Sequence, residues 1–203
     1  MASLVADCQQ LGLTLTQAQT DALDAYVALL NKWNKTFNLI SRQDISRVVP
    51  RHVLDSLAGH RWIRGKTVLD VGSGAGLPGI PLAVVLPEVH FTLCDRMARR
   101  SRFQSQVVRE LKLDNVEVLN ADVAAIPVER CFSTIVARAV DAAPELWKLV
   151  KDRLPLGGAL VVYSSTQVDD TPLVEFPGGE AVQHQVTVPG MNSPHAICEI
   201  KKR

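Results

Sequence analysis

The sequence predicts an α/β fold: a mostly parallel sheet of seven strands with helices on both faces, preceded by an N-terminal helical extension. Three observations predict it. From residue 67 onward, strand-like apolar runs alternate with helix-like stretches, the pattern of parallel strands joined by crossover helices. A glycine-rich run, Gly72-Ser73-Gly74-Ala75-Gly76, follows the first of those strands. The last two strand-like runs have no helix between them and are expected to pair in antiparallel.

Each element has its own signal. Thr16 is placed to cap a helix, with Gln19 three residues on as its capping-box partner. Leu23, Tyr26, Val27, Leu30, Trp33 and Phe37 then recur at helical spacing on one face, which reads as core packing. A second helical segment is expected over Val48 to Trp62, starting near Pro50 and ended by Gly65-Lys66. Strands are expected at Thr67–Val71, Val89–Cys94, Val116–Leu119, Ser133–Ala137 and Ala159–Tyr163, with helices over Pro78–Val85, Arg99–Leu111 and Ala143–Lys151 between them. Val182–Val188 and Ala196–Lys201 are the closing pair, and Thr166 to Gly179, rich in Asp, Pro and Gly, reads as a long loop.

Composition narrows the classes. A chain of 203 residues that is 47% hydrophobic can bury a full core. The expectation is a single domain, with residues 1–65 as the helical extension and 66–203 as the Rossmann-like core. Net charge is only +1, so any nucleic-acid contact must come from a local positive face. Cys8, Cys94, Cys131 and Cys198 are scattered without C-x-x-C spacing, which argues against a disulfide framework or a metal site and for a reducing, cytoplasmic setting. There is no secretory pattern at the N-terminus, and the longest apolar stretch, Ile80 to Leu86, is too short to cross a bilayer.

In an open parallel sheet, ligands sit beyond the carboxyl ends of the strands. Glycines at 72, 74 and 76 let the backbone turn tightly and approach a ligand that a side chain would block. Asp95 ends the second strand about 20 residues on, where an acceptor-only carboxylate suits two ribose hydroxyls, or else caps the following helix. Asp70 either binds an amino group of the ligand or caps the glycine loop. Asn120-Ala121-Asp122-Val123-Ala124, after the third strand, offers a backbone N–H and an acidic side chain to an adenine edge, or is an ordinary turn. These positions suit S-adenosylmethionine. A nicotinamide enzyme is the chief rival; the glycines at 72, 74, 76 and 79 are read as departing from G-x-G-x-x-G whether counted from Gly72 or from Gly74, and no Tyr-x-x-x-Lys pair is present. No Gly-Lys-Ser/Thr follows the loop, so it is not a P-loop.

With these residues in view, nearly the whole chain resembles the bacterial ribosomal RNA small-subunit methyltransferase G family, formerly called glucose-inhibited division protein B. The resemblance is carried by Lys32-Trp33-Asn34-Lys35, Phe37-Asn38-Leu39, Arg51-His52-Val53-Leu54-Asp55-Ser56 and above all Asp70 to Leu82, whose Gly76-Leu77-Pro78-Gly79-Ile80-Pro81-Leu82 ending is more distinctive than the glycines alone. Phe91-Thr92-Leu93 with Asp95, Arg102-Phe103 and Arg138-Ala139 also fit. The resemblance implies a class I methyltransferase that uses S-adenosylmethionine to methylate N7 of a guanine in 16S ribosomal RNA, acting on the RNA or the 30S particle; nothing in the sequence demands more than a monomer. It implies cofactor contacts at Gly72, Leu77, Val123, Ala124 and Arg138, beside the Asp70, Ser73, Gly74, Gly76, Asp95 and Asp122 read from the loops. Ser165 departs from the family, which carries a lysine there.

Guanine N7 has an in-plane lone pair and no proton, so no catalytic acid, base or metal is expected; Arg138 is a candidate for positioning the guanine or the cofactor, or a surface ion pair. Arg96, Arg99, Arg100 and Arg102 cluster after Asp95 and suit phosphate contacts, or are a solvated helix face. Arg51 and His52 are a second RNA-binding candidate, although Arg51 also stands one helical turn from Asp55 and is a possible internal ion pair with it. A small-molecule methyltransferase and a catalytically weak RNA-binding protein on the same fold remain alternatives.

Overall fold

In the computed structural model the residues described are 2–138, 143–164, 176–192 and 195–203, with side chains from residue 4 onward. The extension comprises α1 (Ala2–Gln10), α2 (Gln17–Phe37), a 3-10 turn Arg42–Arg47, and a helical segment that runs as π-helix Val49–Leu54, α3 (Asp55–Ala58) and 3-10 turn Gly59–Trp62. The core comprises β1 (Thr67–Val71), α4 (Gly79–Val85), β2 (His90–Cys94), α5 (Ala98–Leu111), β3 (Val116–Leu119), β4 (Thr134–Arg138), α6 (Ala143–Val150), β5 (Ala159–Ser164), β6 (Gly179–Val186) and β7 (His195–Lys202).

The sheet order is β3-β2-β1-β4-β5-β7-β6. The first five strands are parallel and β7 is antiparallel to both β5 and β6, as the alternation and the closing pair predict. Central strands are buried on both faces, so Val68, Leu69, Ile135, Val136, Leu160 and Val161 read as unbroken apolar runs. Val71 pairs with Cys94 and with Ala137, and Cys94 with Leu119. That register brings Gly72, Asp95, Asn120 and Arg138 to one end of the sheet, where the strand order reverses between β1 and β4.

The capping box of α2 forms as expected: Gln19 N–H donates to Thr16 Oγ1, and the Gln19 amide oxygen accepts from Thr16 N–H at 2.9 Å. Leu23, Tyr26 and Leu30 on its apolar face are fully buried, Val27 and Trp33 partly so, and Phe37 is exposed at its last position. The helix α1 has no counterpart in the sequence reading, although Leu4, Cys8 and Leu11 recur at helical spacing and are buried in the same cluster as Leu23 and Leu30.

Two buried hydroxyls fasten the extension to the core. Tyr26 donates to the Ala75 carbonyl at 2.8 Å, and Tyr163 of β5 donates to the Ser56 carbonyl at 2.8 Å. The Tyr163 ring fills the space over Gly59, where a Cβ would lie 1.9 Å from its hydroxyl oxygen. Tyr163→Phe removes a buried hydrogen bond without changing the ring's packing. It is expected to cost about 1 kcal/mol, read as a lower urea midpoint at unchanged m-value; an unchanged midpoint would show that the hydroxyl holds nothing.

Candidate functional site

The glycine loop is fixed from beneath by Asp70. Its side chain is fully buried, and one oxygen accepts from Ser73 Oγ at 2.6 Å and from Gly79 N–H at 2.8 Å. Burial pushes its carboxyl up to about 6, against the downward pull of those two hydrogen bonds and of Arg138. Gly79 packs so closely that a Cβ would lie 2.3 Å from Leu93 and 2.6 Å from Asp70. Gly72, at φ +67, is the reverse case: a Cβ there would meet nothing within 4 Å, so the backbone faces open space. Of the two roles read for Asp70, the loop cap is the one that these contacts form.

Above the loop lies a cavity of about 730 Å³, within the size range of cofactor sites. Gly72, Ser73, Gly74 and Leu77 line it from the loop, Asp95, Arg96 and Arg100 from beyond β2, Asp122 and Val123 from beyond β3, and Arg138 from the end of β4. Buried Asp70 and Gly76 and exposed Ala124 do not line it. Gly76 is at φ +82 and packs on Ile80, while the Ala124 N–H donates to the Asp122 carboxylate at 2.9 Å. Leu39 and Ile40 of the extension and Leu146 and Leu149 of α6 add apolar walls that the sequence reading did not include.

Of the two roles read for Asp95, the cap at the start of α5 is in place. One oxygen accepts from Met97 N–H at 2.8 Å at the start of α5; the other accepts from Gly74 N–H at 2.9 Å and meets the Arg100 guanidinium at 3.3 Å. It therefore joins the loop to α5 while still facing the cavity.

A second cavity, of about 180 Å³, adjoins the first and shares Arg138 as a wall. Asp44, His52, Asp55, Tyr163 and His195 also line it. Asp55 stands 2.9 Å from His195 Nδ1 and 3.6 Å from Arg138 Nη1. One expectation is corrected here. Arg51 pairs with Asp44, at 2.9 Å, and not with Asp55. His52 is 6% exposed and lines the smaller cavity rather than an open face. Arg96, Arg99 and Arg102 are exposed, and Arg100 is half-buried against Asp95. Ser165 lies outside the described residues.

The family profile for rRNA small subunit methyltransferase G matches residues 19–184. The chain belongs to that family. A ribosomal RNA small subunit methyltransferase G of Enterobacter sp. (strain 638) is 38% identical over 95% of this chain and 94% of its own length, and one of Salmonella arizonae is 46% identical over 94% and 92%. Among solved structures, a SAM dependent methyltransferase from Aquifex aeolicus superposes with a TM-score of 0.57 at 19% identity, covering 77% of this chain and 93% of that one. P. horikoshii TYW2 in complex with MeSAdo gives 0.59 at 15% identity, over 75% and 62%. These two likenesses speak for the fold alone. Membership settles a point that spacing does not: Gly74, Gly76 and Gly79 themselves spell G-x-G-x-x-G, so glycine count is no argument against a nicotinamide cofactor in this rRNA small subunit methyltransferase G family member.

Desolvation, aided by the Arg138 charge, pushes His52 down to about 4. The unfolded chain binds a proton below pH 6.5 that the folded chain refuses until about pH 4. This contribution is complete above pH 6.5 and is lost as pH falls, by roughly 3 kcal/mol at most. His52→Leu is expected to flatten the fall in urea midpoint between pH 6.5 and pH 4 relative to the unsubstituted protein. Parallel pH profiles for the two proteins would contradict it.

Proposed function

We propose that the chain transfers the methyl group of S-adenosylmethionine to N7 of a guanine in 16S ribosomal RNA. One observation carries the reading: Arg138 lies at the end of β4 between a cavity of cofactor size over the glycine loop and a smaller polar cavity beside it. The cofactor, when bound, supplies an electrophilic sulfonium methyl. The residues present fit it. Gly72 gives close backbone approach, the Asp95 carboxylate accepts from ribose hydroxyls, and Asp122 and Val123 face an adenine edge, with Leu77 and Leu146 as apolar walls. Asp70, Gly76 and Ala124 act through the loop and turn that they shape: the Ser73 hydroxyl donates to Asp70, the Gly74 N–H to Asp95 and the Ala124 N–H to Asp122.

The acceptor needs no deprotonation, because N7 presents a lone pair in the ring plane. The protein's work is to place that lone pair in line with the methyl carbon and to keep water out. Arg138 is suited to hold the guanine edge. Exposed Arg96, Arg99 and Arg102, with Arg100 behind them on Asp95, form the positive face for phosphates. Among the described residues no helix is long and apolar enough to cross a membrane, and no group of three His, Cys, Asp or Glu is placed to hold a metal. The reading is of a monomer acting in the cytoplasm on the small-subunit particle.

The test uses small ribosomal subunits from cells lacking this protein, incubated with it and methyl-labelled S-adenosylmethionine, followed by digestion of the RNA. Labelled N7-methylguanosine is expected. No label, with cofactor binding measured separately, would leave the reading without its substrate and favour the small-molecule or weak-binder alternatives.

Arg99 and Arg102 are three apart on α5 and therefore neighbours on its surface. Changing both to Glu is expected to raise KM for the subunit about tenfold or more at moderate salt. The slope of log affinity against log salt should fall by about 1 to 2. Kinetics and salt slope that match the parent would remove this pair from the RNA surface.

A further inference from the structure

The smaller cavity has a chemistry that the transfer of a methyl group does not itself require. At about 180 Å³ it is too small for a cofactor, below the roughly 300 Å³ where ordinary ligand sites begin, and it suits one planar base. Arg138, a donor only, lines both cavities; Asp55, an acceptor only, lies 3.6 Å from it and lines only the smaller one. Asp44, Arg51 and Ser164 complete the polar lining. His195 Nδ1 lies 2.9 Å from the other Asp55 oxygen, at the start of β7, and holds the carboxylate in place. Each carboxylate oxygen accepts more than one hydrogen bond, so these contacts leave capacity. His52, buried in the same lining, has no hydrogen-bond partner on either ring nitrogen among the described residues; the nearest carboxylate oxygen, from Asp44, is 3.5 Å away.

The functional groups of guanine run in the same order around its edge: N7, O6, N1–H, N2 amino. We propose that this pocket takes the acceptor base, with O6 on Arg138 and the N1–H and N2 amino donors on Asp55, and that Asp55 is the residue that selects guanine. The assignment rests on the guanine-N7 reading above and deepens it. With the base so placed, N7 is the group left facing the larger cavity, where the methyl would be. Adenine fails twice in this frame. Its N6 amino group meets the Arg138 guanidinium, donor against donor, and its N1 lone pair meets the Asp55 carboxylate, acceptor against acceptor. Sites built on such pairs reject a mismatched base strongly, because buried charged groups are left unpaired. Pyrimidines offer no N7. The role of Tyr163 is to hold the helical segment that carries Asp55, through its hydroxyl on Ser56.

The test compares small subunits reconstituted with guanine, inosine or adenine at the position that the protein labels. Inosine keeps O6 and N1–H and loses only the N2 amino group. The unsubstituted protein is expected to use inosine about tenfold less well than guanine in kcat/KM, and adenine about 100-fold less well or worse. Asp55→Asn is expected to lower kcat/KM for guanine about 100-fold with cofactor Kd within twofold, and to bring guanine and inosine within about threefold of each other. A residue with only a structural role would lower rate or stability and leave that base ratio alone. A retained ratio in Asp55→Asn overturns the assignment. So does equal use of inosine and guanine by the unsubstituted protein, a measurement that needs no variant to fold. Failure to label guanine at all overturns the underlying reading and this pocket with it; labelling of guanine without discrimination overturns the pocket alone.

Discussion

One carboxylate oxygen organises the cofactor end of this molecule. Asp70 Oδ2, at the end of β1, takes hydrogen bonds from the Ser73 hydroxyl and from the Gly79 N–H, so the chain leaves the strand, closes a loop and enters α4 around a single buried acceptor. Its partner oxygen has no hydrogen bond among the described residues, and water is excluded from it. Burying a carboxylate this way is unfavourable, as the upward push on its proton affinity records. What the arrangement gives in return is a loop with its geometry fixed before any ligand arrives. Gly79 must lack a side chain for the loop to sit this close, and Gly72 must lack one for its backbone to hold φ +67. Tyr26 then holds the loop from the far side through the Ala75 carbonyl, and Asp95 through the Gly74 N–H.

The extension is part of the site for the same reason. α2 ends at Asn38 in the left-handed conformation, φ 47, and buried Asn34 accepts from the Ile40 N–H at 2.8 Å. Those two local features turn the chain back so that Leu39 and Ile40 wall the larger cavity. The helical segment that follows carries Asp55 to the smaller one. Neither cavity would be enclosed by the sheet and its crossover helices alone.

What was legible in the sequence follows from how local each determinant is. β1 and β3 fall on the expected residues, and α2 starts where its capping box says, because strand burial and capping are written in a few adjacent positions. The glycine run and Asp95 were legible since the register of two adjacent strands fixes their meeting. The pairing of Arg51 was not. Spacing of four puts residues on one face of an α-helix, but Val49–Leu54 winds as a π-helix, whose wider turn carries residue 55 off the face of residue 51. Arg51 then reaches Asp44, and Asp55 is left to Arg138 and His195, which come from strands more than 80 residues away. No local pattern encodes such a meeting. Burial of His52 was hidden for the same reason: polar composition suggested a surface, and tertiary packing decided otherwise.

Asp70 and His52 have displaced proton affinities, as do Cys94 and Tyr163 in the cavity walls, both raised by burial, and displaced groups in a cleft ordinarily mark acid–base chemistry. Here the physical cause argues for another origin. Asp70 is raised chiefly by burial and is sealed under the loop, out of reach of an acceptor in either cavity. His52 is lowered, to about 4, which leaves it neutral near pH 7 and a weak base. A reaction that had to remove a proton from its nucleophile would need a group displaced toward neutrality and open to the cavity. A purine N7 asks for no such group, only for a fixed position, and the Arg138 guanidinium and the Asp55 carboxylate are the hydrogen-bonding partners that the smaller cavity offers to hold it.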